Sequence, residues 1–130
     1  MLRLFLSLPI LLSSCQKDET ISGYVDPDVE YFLTEISGDP FVAIATIKFP
    51  KQGSITGQAP CNSYAASQSA PLPWFNIGPI RSTRSACSDM AQEGEFFDSL
   101  SRMTLIETLG YLVILRNDAG EEMVFSASHD

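Results

Sequence analysis

The β-hairpin that decides the fold reads YLVILRNDAGEEMVFS, residues 111–126. Its first and last six residues include β-branched and aromatic side chains, whereas the four residues between them end in glycine. Because a short loop ending in glycine between two such stretches is a strong hairpin signal, the carboxyl-terminal part of the chain is predicted to be antiparallel.

One helix is predicted before this hairpin. Apolar side chains recur there at helical spacing, namely at Met90, Phe96, Phe97, Leu100 and Met103. Ser88 is a plausible N-cap for this helix. Glu93, Glu95 and Asp98 cluster on it, and we interpret them as a solvated charged face rather than as the carboxylate pair of a glycosidase.

Upstream of the helix, period-two alternation and turn residues predict further strands. The stretch 41–49 is expected to be a strand that is buried on both faces at its start, and 58–73 is expected to be an ordered loop pinned at Cys61. The predicted strands cover residues 29–36, 41–49, 54–57, 74–77, 80–84, 104–108, 111–116 and 121–126. The predicted fold class is therefore mostly β, a small antiparallel barrel-like domain with one helix.

Several of these segments resemble the META (HslJ-like) domain family. The resemblance rests on GSITGQAPCNSY (residues 53–64), FNIGPI (residues 75–80), TRSAC (residues 83–87) and LVIL (residues 112–115). It covers roughly residues 29–126 and implies a barrel-like β domain with one helix across an opening. Because members of the family are mostly described as envelope or stress-associated proteins, the resemblance implies no particular reaction.

The amino terminus resembles a bacterial lipoprotein signal. Arg3 precedes an apolar run, and residues 12–15 read LSSC, which is similar to a lipobox. This resemblance implies cleavage before Cys15 and diacylation of its sulfur; the alternative is an ordinary signal peptide with Cys15 near the cleavage site. We therefore expect a signal peptide at 1–14, a lipidated tether at 15–28 and the META domain at 29–130. Gln16 after the cysteine favours delivery to the outer membrane, facing the periplasm.

The chain has three cysteines, an odd number for an exported protein. If Cys15 carries lipid, Cys61 and Cys87 remain as a pair that an oxidising compartment can join. The lipobox and this disulfide therefore support each other.

The charge of the chain excludes nucleic acid as a partner. Its formal net charge is −8, and without residues 1–14 seven basic residues face sixteen acidic ones, a net of −9. Because phosphate binding requires a basic surface, we expect attachment to the membrane through lipid alone.

No catalytic, metal or cofactor site is predicted. The only histidine, His129, is next to last in the chain, where residues are usually poorly ordered. Arg81 and Arg84 are expected on opposite faces of a strand, and Trp74 is expected to be buried. Asn62 is the polar residue of most interest, with a structural role preferred over ligand contact.

The sequence thus favours a non-enzymatic envelope lipoprotein that acts as an interaction or stress-response module and binds an unknown envelope protein. The alternative is a carrier or chaperone that holds a lipid or hydrophobic peptide in the barrel. In that case a group of aromatic side chains would lie near the opening: Phe41, Phe49, Trp74, Phe96 and Phe97. An apolar cavity of a few hundred Å³ would favour the carrier, and a filled interior would argue against it.

Overall fold

The computed structural model describes residues 17–127, which form nine antiparallel strands and one α-helix. A short 3₁₀ helix, Ile21–Gly23, precedes them. The elements are β1 (Tyr31–Ile36), β2 (Asp39–Pro40), β3 (Thr46–Lys51), β4 (Gly53–Gln58), β5 (Ser63–Gln68), β6 (Arg81–Ser82), α1 (Met90–Arg102), β7 (Leu105–Leu109), β8 (Leu112–Arg116) and β9 (Glu122–Ser126). The predicted mostly β class is confirmed.

Strand β1 lies at the centre of the sheet. The strand order is β6-β5-β4-β3-β1-β9-β8-β7, and the small strand β2 pairs with β1. Tyr31 in β1 is opposite Ile47 in β3, and Phe32 is opposite Ser126 in β9. The amino-terminal and carboxyl-terminal halves of the sheet therefore meet at β1.

The sheet is not closed into a barrel, so the predicted barrel-like form holds only loosely. Residues 73–78 lie between its two ends. The Ile106 N–H of β7 donates to the Pro73 carbonyl at 2.8 Å, and the Gly78 N–H donates to the Ser67 carbonyl of β5 at 2.9 Å. This connection replaces the strand predicted at 74–77, where the chain forms only two isolated bridges, Gln68 with Ile77 and Trp74 with Leu105.

The predicted hairpin is confirmed as β8 and β9, which pair from Leu112 opposite Ser126 to Arg116 opposite Glu122. The Asn117 side-chain oxygen accepts hydrogen bonds from the Ala119 and Glu121 N–H groups at 3.1 and 3.0 Å. An asparagine that bonds to its own turn in this way fixes the loop between the strands.

The strand predicted at 41–49 begins later than expected, because β3 starts at Thr46. The side chains of Val42 and Ile44 are 89% and 57% exposed, so the predicted burial on both faces is wrong. Beyond Phe32, β1 pairs with β2 instead of β3, and residues 41–45 therefore have no continuous ladder partner.

The stretch 58–73, which we expected to be a loop, contains β5. This strand pairs with β4 over six residues, from Gly53 opposite Gln68 to Gln58 opposite Ser63. Alanine and serine have little intrinsic preference for strands, so neighbouring strands rather than local propensity determine its structure. The strand predicted at 80–84 is limited to β6.

Helix α1 covers the sheet and supplies part of the core. Asp89 occupies the N-cap position in place of the predicted Ser88, without a capping side-chain hydrogen bond. Phe96 and Leu100 have no exposed surface, and neither do Phe49 and Phe125 of the sheet. These side chains fill the space between helix and sheet.

Part of the predicted tether packs against the domain. Ile21 is only 2% exposed and belongs to the core, and the Leu72 N–H donates to the Glu19 carbonyl at 2.8 Å. These contacts attach residues 19–21 to the domain.

Candidate functional site

A buried pair of polar residues, Asn62 and Glu93, lies where β5 begins and α1 starts. Asn62 is 3% exposed and Glu93 is 4% exposed. One Glu93 oxygen accepts the N–H groups of Cys61 and Asn62 at 3.1 and 2.9 Å, and the other accepts the Asn62 side-chain amide at 2.8 Å. Our interpretation of Glu93 as part of a solvated face is wrong, since its carboxylate fixes the turn before β5. Glu95 and Asp98 are exposed as expected.

The Asn62 side chain also holds the segment before the helix. Its amide nitrogen donates to the Ser85 carbonyl at 2.9 Å, and its oxygen accepts the Ser85 N–H at 2.6 Å. The Thr83 hydroxyl donates to the same oxygen at 2.9 Å. The Asn62 side chain therefore forms hydrogen bonds with both the N–H and the C=O group of Ser85, as the backbone of a neighbouring strand would.

A disulfide joins Cys61 to Cys87, with their Cα atoms 5.6 Å apart. It attaches the end of the segment 83–87 to the residue that precedes Asn62. Two connections, one covalent and one through hydrogen bonds, therefore fix this segment beside α1.

A groove of about 390 Å³ lies between this segment and the helix. Met90, Gly94 and Phe97 line its helix side, and Met90 is 45% exposed. Arg84 and Ala86 line the opposite side. The groove thus combines an apolar wall with a cation, and we define it as the helix groove.

Tyr64 packs beneath the site. Its ring contacts the rings of Phe96 and Phe97 edge-on, with centroids 5.5 and 5.6 Å apart. Its hydroxyl donates to the Thr46 carbonyl at 2.6 Å. Gly57 lies against this ring, and a Cβ there would collide with Thr46 and Tyr64, so only glycine fits.

Replacing Tyr64 by phenylalanine is expected to lower the free energy of unfolding by about 1 kcal/mol, because the Thr46 carbonyl loses its buried donor. Burial, and to a smaller extent the charge of Glu30, raises the pKa of the Tyr64 phenol. The folded state therefore keeps a proton that the unfolded state releases above about pH 10, so stability falls as the pH rises beyond that value. Urea denaturation of both proteins at about pH 7 and pH 11 tests this linkage. An equal loss of stability in both proteins at high pH would contradict the assignment to Tyr64.

Other residues singled out in the sequence lie elsewhere. Cys15 and His129 are outside the described residues. Trp74 is 58% exposed, so its predicted burial is wrong: β7 pairs with it through the backbone at Leu105, and the ring lies outside the core. Arg81 and Arg84 are both exposed, and only Arg81 belongs to β6.

The chemistry of the site is that of a rigid support. Glu93 uses its oxygens for three donors from the preceding turn, and within residues 17–127 no three His, Cys, Asp or Glu side chains are placed to hold a metal ion. In the same part of the chain no helix has the length and apolar character needed to cross a bilayer. Sequence reasoning could have found Glu93 only by noting that it lies one helical turn after the cap.

These features define a small antiparallel β domain with one covering helix and a disulfide-fixed segment at its edge. The chain belongs to the META domain family, whose model matches residues 26–130. None of the curated proteins matches the chain.

Two solved structures have a similar fold. An NMR structure of a protein from Burkholderia xenovorans has a TM-score of 0.64 at 20% identity, covering 84% of this chain and 87% of that protein. The crystal structure of a DUF4847 family protein from Bacteroides vulgatus has a TM-score of 0.65 at 12% identity, covering 82% of this chain and 97% of that one. At these identities the likeness concerns the fold alone.

Proposed function

We propose that the protein is a non-enzymatic lipoprotein of the bacterial envelope whose META domain binds another envelope protein, as part of a stress response. The observation that supports the binding role is the contrast between the filled core of the domain and the open sheet edge beside the helix groove. In the core, the side chains of Phe49, Phe96 and Phe125 have no exposed surface. The sheet edge next to the helix groove is open, and the disulfide and Asn62 fix it in place.

This filled interior favours an interaction module over the carrier that the sequence also allowed. A carrier needs an apolar cavity that encloses its ligand. Of the five aromatic side chains expected near an opening, Phe49 and Phe96 are fully buried in the core, and Trp74 is exposed on the surface. Four of the five, all except Trp74, therefore lie in the core or pack against it.

Lipid attachment is the part of the proposal that rests on residues 12–15, LSSC. We expect the protein from a bacterial membrane fraction to begin at Cys15, to carry added acyl mass and to gain about 2 Da on reduction of its disulfide. Two acyl chains are sufficient for stable anchoring, whereas one gives only reversible binding. Intact-mass spectrometry before and after reduction measures both properties.

The control is Cys15→Ala expressed in the same cells. It should lack the acyl mass and leave the membrane fraction, while its disulfide still adds about 2 Da on reduction. Wild-type protein without acyl mass would overturn the lipoprotein assignment and leave the interaction role of the domain to be tested separately.

A further inference from the structure

The extended segment at the sheet edge beside the helix groove continues past β6, which ends at Ser82, as far as Ser85. The Thr83 N–H donates to the Ser63 carbonyl of β5 at 3.1 Å, and Ser85 exchanges two hydrogen bonds with the Asn62 side chain. Residues 81–85 are therefore held along one line, first by β5 and then by an amide that takes the place of a strand. We call residues 81–85 the edge segment.

Alternate residues of the edge segment face away from the sheet. In an antiparallel strand the backbone groups of successive residues point to opposite sides, and those of Thr83 and Ser85 point inward. Ser82 lies opposite Tyr64 as a non-hydrogen-bonded pair, so the N–H and C=O groups of Ser82 and Arg84 point outward, and no backbone group within 17–127 bonds to them. An open edge of this kind is a template for another strand.

Two depressions flank the edge segment. One is the helix groove of about 390 Å³. The other, about 300 Å³, lies along β5 and β6 and is lined by Ser63, Ala65 and Arg81. Successive side chains of a strand point to opposite faces, so an added strand can place alternate side chains in depressions next to the edge.

Charge indicates what kind of strand fits. Arg81 and Arg84 are exposed and make no ion pair within the described residues, where the ion pairs use Arg102 and Arg116. Both arginines belong to the edge segment, whereas the lysines of the described residues, Lys17, Lys48 and Lys51, lie outside it. The chain has twice as many acidic as basic residues. Pairing with the same edge of a second copy would bring like charges together, which is unfavourable.

We propose that the edge segment binds an extended segment of a partner protein by strand addition, and that this partner segment alternates carboxylate with apolar side chains. Its backbone bonds to Ser82 and Arg84, carboxylates on one of its faces pair with Arg81 beside Ser63 and Ala65, and an apolar side chain on its other face contacts Met90 and Phe97. Main-chain bonds supply affinity in this mode of recognition, and the flanking depressions supply specificity. This inference rests on the proposed interaction role and names its surface.

The test uses the full chain in detergent micelles and a short fluorescein-labelled peptide of alternating valine and glutamate. Fluorescence anisotropy should show binding about tenfold tighter than for the matched valine–lysine peptide, because a carboxylate near an arginine forms charge-assisted hydrogen bonds. A valine–glutamate peptide with N-methylated amides along one edge keeps its charge but cannot pair, and it should not bind. Equal binding of the methylated peptide would overturn strand addition.

Protein variants locate the site. Arg81→Glu should weaken binding of the valine–glutamate peptide about tenfold, whereas Lys51→Glu, a matched charge reversal at an exposed position of β3, should change it by less than about twofold. Hydrogen exchange adds a readout that does not depend on charge: the Ser82 and Arg84 amides should gain protection when the peptide binds. Equal weakening by both variants, unchanged exchange at the edge segment, or dimerisation through this edge would overturn the proposal. None of these outcomes depends on lipid attachment, so failure here is distinguishable from failure of the envelope assignment.

Discussion

Replacing Glu93 by alanine is expected to lower the free energy of unfolding by about 4 kcal/mol, since the turn before β5 loses the acceptor for three donors. Two of these are the backbone N–H groups of Cys61 and Asn62, for which Glu93 is the acceptor among residues 17–127. The third is the Asn62 amide. Urea denaturation followed by circular dichroism measures the change.

Glu95→Ala is the matched control for this prediction. Glu95 lies on the same helix and is exposed, so its removal should change stability by less than about 0.5 kcal/mol. Glu93→Gln separates charge from shape, because its new amide nitrogen would face either the Asn62 amide or the backbone donors. We expect it to be intermediate between the wild-type protein and Glu93→Ala. If Glu93→Ala were as stable as Glu95→Ala, the structural role of Glu93 would be refuted.

Replacing Cys61 and Cys87 together by serine is expected to cost about 3.5 kcal/mol, the chain-entropy value for a closed loop of this size. The two cysteines are 26 positions apart in the sequence. Typical domains have only about 5–15 kcal/mol of stability, so this bond supplies a large share. The measurement is urea denaturation of the oxidised wild-type protein and of the double variant.

Wild-type protein with a reducing agent is the control, and it should match the double variant. Because Glu93 and the disulfide fix the same residues around Asn62, their effects are not independent, and combining Glu93→Ala with the double variant should cost less than the sum. A double variant as stable as the oxidised protein would show that the bond contributes nothing to the folded domain.

Much of the fold could be predicted because several elements have strong local signals. The β8–β9 hairpin has a glycine-ended loop between apolar strands, and α1 has apolar residues at helical spacing. Both signals depend on a few neighbouring residues, so they can be read without knowledge of the rest of the chain. The resemblance to the META family predicted the same fold class.

The errors occurred where distant parts of the chain determine the structure. Four of the six residues of β5, which reads SYAASQ, are alanine or serine, and they form a strand because β4 and β6 lie beside them. Glu93 was interpreted as solvated because its sequence neighbours are charged, whereas its partners at Cys61 and Asn62 are about thirty positions away. Hydrophobic periodicity and secondary-structure propensity depend on nearby residues and therefore do not predict such long-range contacts.

The central position of β1 has a consequence for the order in which the protein can fold. Phe32 pairs with Ser126, so one side of the first long strand stays open until nearly the last described residue is present. Contacts between such distant residues make folding slow. A chain that leaves the ribosome amino terminus first therefore cannot complete this sheet until its carboxyl-terminal strand has emerged.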